Sequence, residues 1–455
     1  MRLRVLVAAA LVLAVPGKAA ACRTIAVTKD PAPFKHFQSI QTAVNAAKPC
    51  DWILVAAGIY RESVTIRKPH LHLRGLNRNS VIVDGGHAKG RNGIVVAKAD
   101  DVWIENLTVR DFDRASRDSD VGGNQIWWNG GDESGTIGLH GWHGRYLTAY
   151  DTGLLGGYGL FASNAVAGEW DHVYASGFND SGLYVGACQD CRAVISHALS
   201  ERNALGYSGT NSGGHLVVQD SVFRNNSVGV VPNSLVEDPP PPQLGTCDAA
   251  SNTTPTPPIT STGVARCTVF RRNRIVGNSN LTTPVNATTA QIPWGIGFLL
   301  LGAYGNLVAN NVITGNANFG LLGIENPVPF PPTPKTVYFQ LSGNKVVSNT
   351  LGAGAKYADL AFEGGLFGSK QSVNNCFSGN RAQVTMPADL TPWSCANDTT
   401  PNADSVTTGS LFGTVLQLST ESQQRHSAPQ PAPFPQPTMP NPCAGAPGRS
   451  PLCYG

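Results

Sequence analysis

The sequence predicts an all-β solenoid, opened by a short capping helix and followed by a Pro-rich tail. Three observations lead there. A hexapeptide with polar ends and an apolar third residue recurs as "NRIVGN" (Asn273–Asn278), "NVITGN" (Asn311–Asn316), "NKVVSN" (Asn344–Asn349) and "NCFSGN" (Asn375–Asn380). With Asp at one end, "DSVFRN" (Asp220–Asn225) and "NLTVRD" (Asn106–Asp111) fit the same pattern. A glycine followed by a bulky residue stands at Gly159, Gly182, Gly206, Gly229, Gly297 and Gly320, in steps of 23, 24, 23, 68 and 23. Finally, 50 Gly and 32 Pro against only 14% charged residues favour many short strands and turns over helices.

Each element has a physical reason. Coils of about 23 residues with three short strands each would stack equivalent positions about 4.8 Å apart. Inward residues such as Val222 and Val230 then pile into one core. Asn tolerates the left-handed backbone of a tight corner and bonds the turn's own backbone. Stacked Asn side chains also bond one another along the axis. The pattern predicts nine to eleven turns, with Asn273, Asn311, Asn344 and Asn375 along one edge. An antiparallel sandwich would explain the alternation but not the period.

The ends read differently. Residues 1–21 have the form of a secretory signal: Arg2 and Arg4, the apolar run "VLVAAALVLAV", then small residues before Cys22. Acylation of Cys22 is the alternative, although Ala19 stands where a lipoprotein signal usually has Leu. Without Arg2, Arg4 and Lys18 the formal charge falls from +3 to zero, which gives no electrostatic case for nucleic acid or anionic membrane. No other long apolar segment offers a membrane span.

Ten cysteines beyond the signal fit an oxidising compartment. Proximity suggests the pairs Cys22–Cys50, Cys188–Cys191, Cys247–Cys267, Cys376–Cys395 and Cys443–Cys453. "CQDC" (Cys188–Cys191) also has the spacing of a redox or metal pair, but no second such motif accompanies it.

The corner Asn and Gly-bulky repeats resemble the right-handed parallel β-helix, or pectin-lyase-like, superfamily. "FQSIQTAVNAAKPCDWILVAAGIYRESVTI" (Phe37–Ile66) is similar to the opening segment of many members, pectin methylesterases among them. On that basis residues 22–395 form the β-helix, and residues 396–455 a largely disordered tail that includes "SAPQPAPFPQPTMPNP" (Ser427–Pro442). "HFQSIQTAVNAA", with Phe37, Ile40 and Val44 at helical spacing, caps the N-terminal end. Insertions fall near 113–135, 232–265 and 325–335, with a smaller one near 279–293.

The resemblance implies a polysaccharide or cell-surface glycan as partner, a monomeric secreted chain, and substrate on the face of each coil's first strand. Alternation makes Phe161, Tyr184, Ser208, Val231, Leu299 and Leu322 the floor of that groove. Flanking residues are Asp151, Asn179, Asp180, Arg202 and Asn203. The first insertion adds Trp127, Trp128, Asp132 and Glu133, and "HGWHGRY" follows it with His140, Trp142 and His143. Aromatic rings suit apolar sugar faces, and carboxylates suit hydroxyls. Among these, Asp180, Arg202 and Tyr184 are the candidate catalytic set of a polysaccharide lyase, epimerase or glycoside hydrolase; in the first two a base takes the proton α to a carboxylate. The residues name no cofactor, and the resemblance admits Ca²⁺. The signatures of galacturonan hydrolases, alginate epimerases and methylesterases are absent; "GGH" (Gly85–His87) is not one of them, and "VWIEN" (Val102–Asn106) departs from a pectate-lyase "WIDH" segment. A non-catalytic glycan-binding, adhesive or structural module is therefore the second reading.

Overall fold

The computed structural model describes residues 21–131, 136–188, 190–234, 268–330, 335–352, 354–366, 372, 374–395, 406, 411–448 and 450–454. The expected leader, Asp132, Glu133 and the Cys247–Cys267 pair lie outside them. The other four disulfides join Cys22–Cys50, Cys188–Cys191, Cys376–Cys395 and Cys443–Cys453, as proximity suggested.

The chain is a right-handed parallel β-helix, the hand that parallel crossovers take. One coil shows the plan: a first strand Leu205–Thr210, a second Leu216–Gln219, a third Val222–Arg224, then the next coil's first strand Val228–Asn233. Stacking gives an 11-stranded first-strand sheet, a 12-stranded second-strand sheet and a 10-stranded third-strand sheet. The core is continuous from Val27 to Phe377.

Three stacked corners hold the coils together; in each Asn ladder the left-handed residue and the ladder Asn are different residues, whereas Asn106, Asn164 and Asn211 in earlier coils are both left-handed and buried. At the corner after the second strand, Arg272, Asn310 and Ser348 take φ of 52°, 56° and 54°. The next residues, Asn273, Asn311 and Asn349, form a ladder with Asn380. The Nδ2 of Asn311 donates to Phe270 O (2.9 Å) and Asn349 Oδ1 (3.0 Å). Its Oδ1 accepts the Asn273 backbone N–H (2.9 Å) and Nδ2 (3.1 Å). A second ladder runs Asn203, Asn226, Asn278, Asn316 after the third strand. A third joins Asn306, Asn344 and Asn375 before the second strand.

The expected single edge therefore splits. Asn273 and Asn311 precede third strands, whereas Asn344 and Asn375 precede the second strands Lys345–Val347 and Cys376–Ser378. A hexapeptide spans any short strand between two corners, so the motif alone does not say which. "DSVFRN" is also read one residue early. Asp220 is the left-handed residue (φ 50°), and Ser221 takes the place of the ladder Asn by donating its N–H to Asn273 Oδ1 (3.1 Å). That slip reverses the faces: Phe223 is buried in the core and Val222 lies outside.

Helix α1 (Ile40–Ala46) covers the N-terminal end with Ile40, Ala43 and Val44. Ser39 caps it, and the Glu62 carboxylate accepts the Ile40 and Gln41 N–H groups at 2.9 and 3.0 Å. Phe37 lies outside the helix and bridges Val27. Residues expected in loops prove regular. Ile126–Asn129 is a first strand within the 113–135 insertion, and Asn326–Phe330 with Lys335–Phe339 forms an antiparallel hairpin.

The tail departs most from expectation. Helix α2 (Leu411–Gln423) packs Leu411, Val415 and Leu418 on the first-strand sheet. The Pro-rich segment is then pinned along the solenoid. Ala428 N–H bonds Thr282 O (2.8 Å), Gln436 N–H bonds Asn79 Oδ1 (2.9 Å), Met439 N–H bonds Asn106 Oδ1 (2.9 Å), and Thr24 Oγ1 bonds Pro447 O (2.6 Å). Proline lowers the entropy lost on docking, so few bonds suffice. Arg78, 2% exposed, is the main anchor. Its guanidinium donates to Thr148 Oγ1 (2.6 Å), His172 O (2.9 Å), Pro437 O (3.1 Å) and Leu147 O. With no carboxylate partner among the described residues, burial pulls it down to about 9.

Replacing Asn311 by Ala should cost about 1–3 kcal/mol in urea unfolding, because its partners stay buried without it. Arg78→Ala should cost about 2–3 kcal/mol and open Ser427–Pro442 to limited proteolysis. A tail equally resistant in both proteins would deny Arg78 the anchoring role.

Candidate functional site

On the first-strand sheet Phe161, Tyr184, Ser208 and Val231 are successive partners, as alternation proposed, and Trp127, expected in the flanking insertion, extends the same column. It is not an open floor. Phe161 (4% exposed) stacks between Trp127 (5.2 Å, 6°) and Tyr158 (4.4 Å, 23°), and Tyr184 (9%) meets it edge-on at 4.8 Å. Farther along, Val231, Leu299 and Leu322 are buried with the apolar face of α2 as a second core. Sequence reasoning missed this cover because it assigned α2 to a tail without structure.

Between the aromatic end and α2 remains a cavity of about 510 Å³. Its walls are Tyr158, Asp180 and Tyr184 on one side, Ser208, Thr210 and Asn233 along the strands, Thr288–Pro293 from the small insertion, and Phe412 and Leu416 of α2. Asp180 is held by Asn286 Nδ2 (2.8 Å), Ser181 Oγ (3.0 Å) and Arg114 Nη2 (3.3 Å). Burial, reinforced by Asp180, keeps the Tyr158 hydroxyl well above its usual titration range, so it remains a phenol. One carboxylate already paired with an arginine does not suit Ca²⁺, which takes six to eight oxygens.

The other expected site residues are dispersed. Arg202 occupies a left-handed corner (φ 59°), and its guanidinium bonds Glu201 Oε1 (2.8 Å) and the Tyr174 hydroxyl (2.9 Å). It joins neither Asp180 nor Tyr184 in the described contacts, so the expected catalytic trio is not assembled. Trp128 and Trp142 are fully buried and pack with Trp170 in the core. Asn203 belongs to a corner ladder. His140 and His143 lie on the strand Leu139–Arg145 of the second-strand sheet, away from the cavity.

Asp151 leads to a second cluster. A bulge in the strand Val81–Lys89, where pairing shifts between Asp84 and Ala88, carries His87 (φ 60°) over the corner. There its Nδ1 lies 3.3 Å from Asp113 Oδ1 and 3.7 Å from Asp151 Oδ1, and its Nε2 lies 3.8 Å from Asp111 Oδ1. Burial first, then the Asp113 charge, push Asp151 up to about 7. The sequence signal was the pair of acids in "RDFD" next to a corner, together with the "GGH" bulge. Neither is informative without the neighbouring coil.

A third feature runs along the second-strand sheet. Trp52, His72, Trp103 and His143 stack in one column, with centroids 4.2, 5.6 and 3.9 Å apart. Arg74 lies over Trp52 and pairs with Glu105 at 2.7 Å. Arg145 lies over Trp103 and pairs with Glu169 at 2.5 Å.

No protein-family model and no curated protein matches the chain. Solved structures do. The A-module of mannuronan C-5 epimerase AlgE4 from Azotobacter vinelandii aligns at TM-score 0.46 and 14% identity, over 75% of this chain and 90% of that one. Pectate lyase Pel9A aligns at 0.41 and 12%, over 81% and 79%. Pectin methylesterase PemA from Erwinia chrysanthemi aligns at 0.35 and 13%, over 71% and 88%. The fold assignment rests on the chain's own three parallel sheets.

Glu105 offers a pH test. Burial opposes its charge, but His72 (3.7 Å) and Arg74 outweigh burial and hold the carboxyl below its ordinary range. A depressed folded value adds stability above the unfolded value, near 4.3, and loses it as pH falls through the folded one. Glu105→Gln should therefore destabilise by about 1–3 kcal/mol at pH 7, with the gap to wild type closing below about pH 4. A gap independent of pH would mean packing, not charge, sets the loss.

Proposed function

We propose that the protein is a secreted glycan-binding β-helix that takes a short polysaccharide segment into the cavity between the first-strand sheet and α2. The observation that carries this reading is the composition of one partly open cavity. Tyr158 and Tyr184 bring aromatic carbon to its lining, while Asp180, Ser208, Thr210 and Asn233 bring polar groups. Sugar rings need both at once, an apolar face for stacking and hydroxyls for hydrogen bonds. Secretion is supported by four disulfides, which persist in oxidising compartments.

The geometry favours binding over cleavage. Asp180 is engaged by Arg114, Arg202 faces elsewhere, and Tyr158 is held as a phenol. No acid–base pair meets in the cavity among the described residues. The alternative, an adhesive or structural module, predicts no soluble glycan ligand.

Calorimetric titration with uronate and neutral oligosaccharides tests this. Leu416, 57% exposed at the cavity wall, can be enlarged without disturbing a hydrogen bond. Leu416→Trp should abolish binding with the melting temperature unchanged. Tyr184→Leu should weaken it about fivefold, the loss of roughly 1 kcal/mol of stacking. Binding that survives Leu416→Trp would place the glycan elsewhere, and no binding in either series would leave the structural reading. Ultraviolet-absorbing unsaturated products from polyuronates would restore the lyase reading.

A further inference from the structure

The cluster at His87 is separate from the cavity, and its chemistry is different. Asp113 and Asp151 have side chains 7% and 0% exposed, and their only ionic partner among the described residues is His87. Arg110 is engaged 2.9 Å from Asp84 and, of the three acids around His87, pairs only with Asp111, at 3.7 Å. Two buried carboxylates facing one imidazole carry excess negative charge, which a folded protein tolerates only with a proton or a cation. Asp111 is accounted for, since its Oδ1 accepts the Thr152 N–H (2.9 Å) and hydroxyl (2.8 Å). Asp151 is not. Its Oδ2 accepts the Gly156 N–H (3.0 Å), but its Oδ1 is buried, lacks a hydrogen bond, and points at His87 Nδ1.

The distances match a coordination sphere. One ligand atom each from His87, Asp113 and Asp151 lie within 4.8 Å of one another. Metal–ligand bonds of about 2.05 Å put adjacent tetrahedral ligands about 3.3 Å apart, close to the 3.3 and 3.7 Å seen here. Imidazole and carboxylate together suit a first-row divalent ion rather than Ca²⁺ or Mg²⁺, which prefer oxygen alone. His87 is 44% exposed, so a path from solvent exists. A backbone device sets the donor in place: a Cβ at Gly85 would lie 2.3 Å from Asp111 O, so only glycine permits the bulge that carries His87 there. We propose that His87, Asp113 and Asp151 form a binding site for one divalent transition-metal ion such as Zn²⁺ or Mn²⁺.

The test uses untagged full-length protein stripped with chelator, then titrated with Zn²⁺, Mn²⁺ or Ca²⁺ and followed by calorimetry and thermal unfolding. Wild type should bind one equivalent of Zn²⁺ or Mn²⁺ at this site, with a melting temperature raised by about 2 °C or more in excess metal. His87→Ala should weaken that binding at least about tenfold. Asp151→Asn should move the two readouts in opposite directions. It should raise the metal-free melting temperature, by removing a carboxylate beside Asp113, and it should abolish the metal-dependent rise. A merely structural Asp151 would lower the first and leave the second. Binding lost in His197→Ala but kept in His87→Ala would assign the metal to the partly exposed Asp171, His172 and His197 group and overturn the proposal. So would metal binding that persists in Asp151→Asn, a response to Ca²⁺ alone, or no binding.

Discussion

From Asn203 onward the coils hang from amides that repeat along three edges. A parallel coil stack must turn the backbone sharply three times per coil and bury the polar groups exposed at each turn. Here one left-handed residue makes the turn, and the Asn after it satisfies the stack. Asn311 shows why Asn is used: its donors and acceptor each find a partner in an adjacent coil. An aspartate would lose the donors, and a serine would reach only part of the set. Because the corners are fixed this way, the chain between them can lengthen freely, and each candidate site is built on such lengthened segments.

This division of labour also sets what the sequence reveals. The period, the three-strand coil and the inward column of Leu160, Leu183, Val230, Phe298 and Leu321 are legible because stacking demands the same residue type at each level. The sheet to which a hexapeptide belongs is not, since all three ladders pair a left-handed residue with a following Asn. "NKVVSN" and "NRIVGN" look alike yet lie on different sheets. A left-handed Asp220 before Ser221 mimics a ladder Asn and shifts the reading by one residue. The trio of Asp180, Arg202 and Tyr184 failed for a related reason: closeness along a coil says little about which side of a corner a side chain takes. Trp128 and Trp142 looked like surface aromatics, whereas the coils there need bulk to fill the core.

The tail was illegible for another reason. Proline-rich composition marks a chain that forms no core of its own, and that much is right. It does not report a surface already furnished with acceptors and donors for it. Arg78, Asn79 and Asn106 provide these, and only the stacked coils bring them into line. The same docking brings α2 onto the first-strand sheet, and thereby turns an expected open groove into a partly covered cavity.

The cavity and the acid cluster share one segment, residues 151–158. At one end Asp151 binds Gly156 through Oδ2 and faces His87 through Oδ1. At the other, Tyr158 stacks on Phe161 at the cavity wall. Between them, Gly156 O and Gly157 O accept the Asn179 and Asp180 N–H groups at 2.8 and 3.3 Å. The segment is short and glycine-rich, and further bonds from Thr152 to Asp111, Arg114 to Leu155, Gly157 to Gly123 and Gln125 to Tyr158 also set its shape. Charge at Asp151 therefore bears on the backbone that positions both Tyr158 and Asp180. A cation drawn into the cluster would fix that backbone from one side, as the aromatic stack fixes it from the other, and the sugar-facing wall would inherit its rigidity from both.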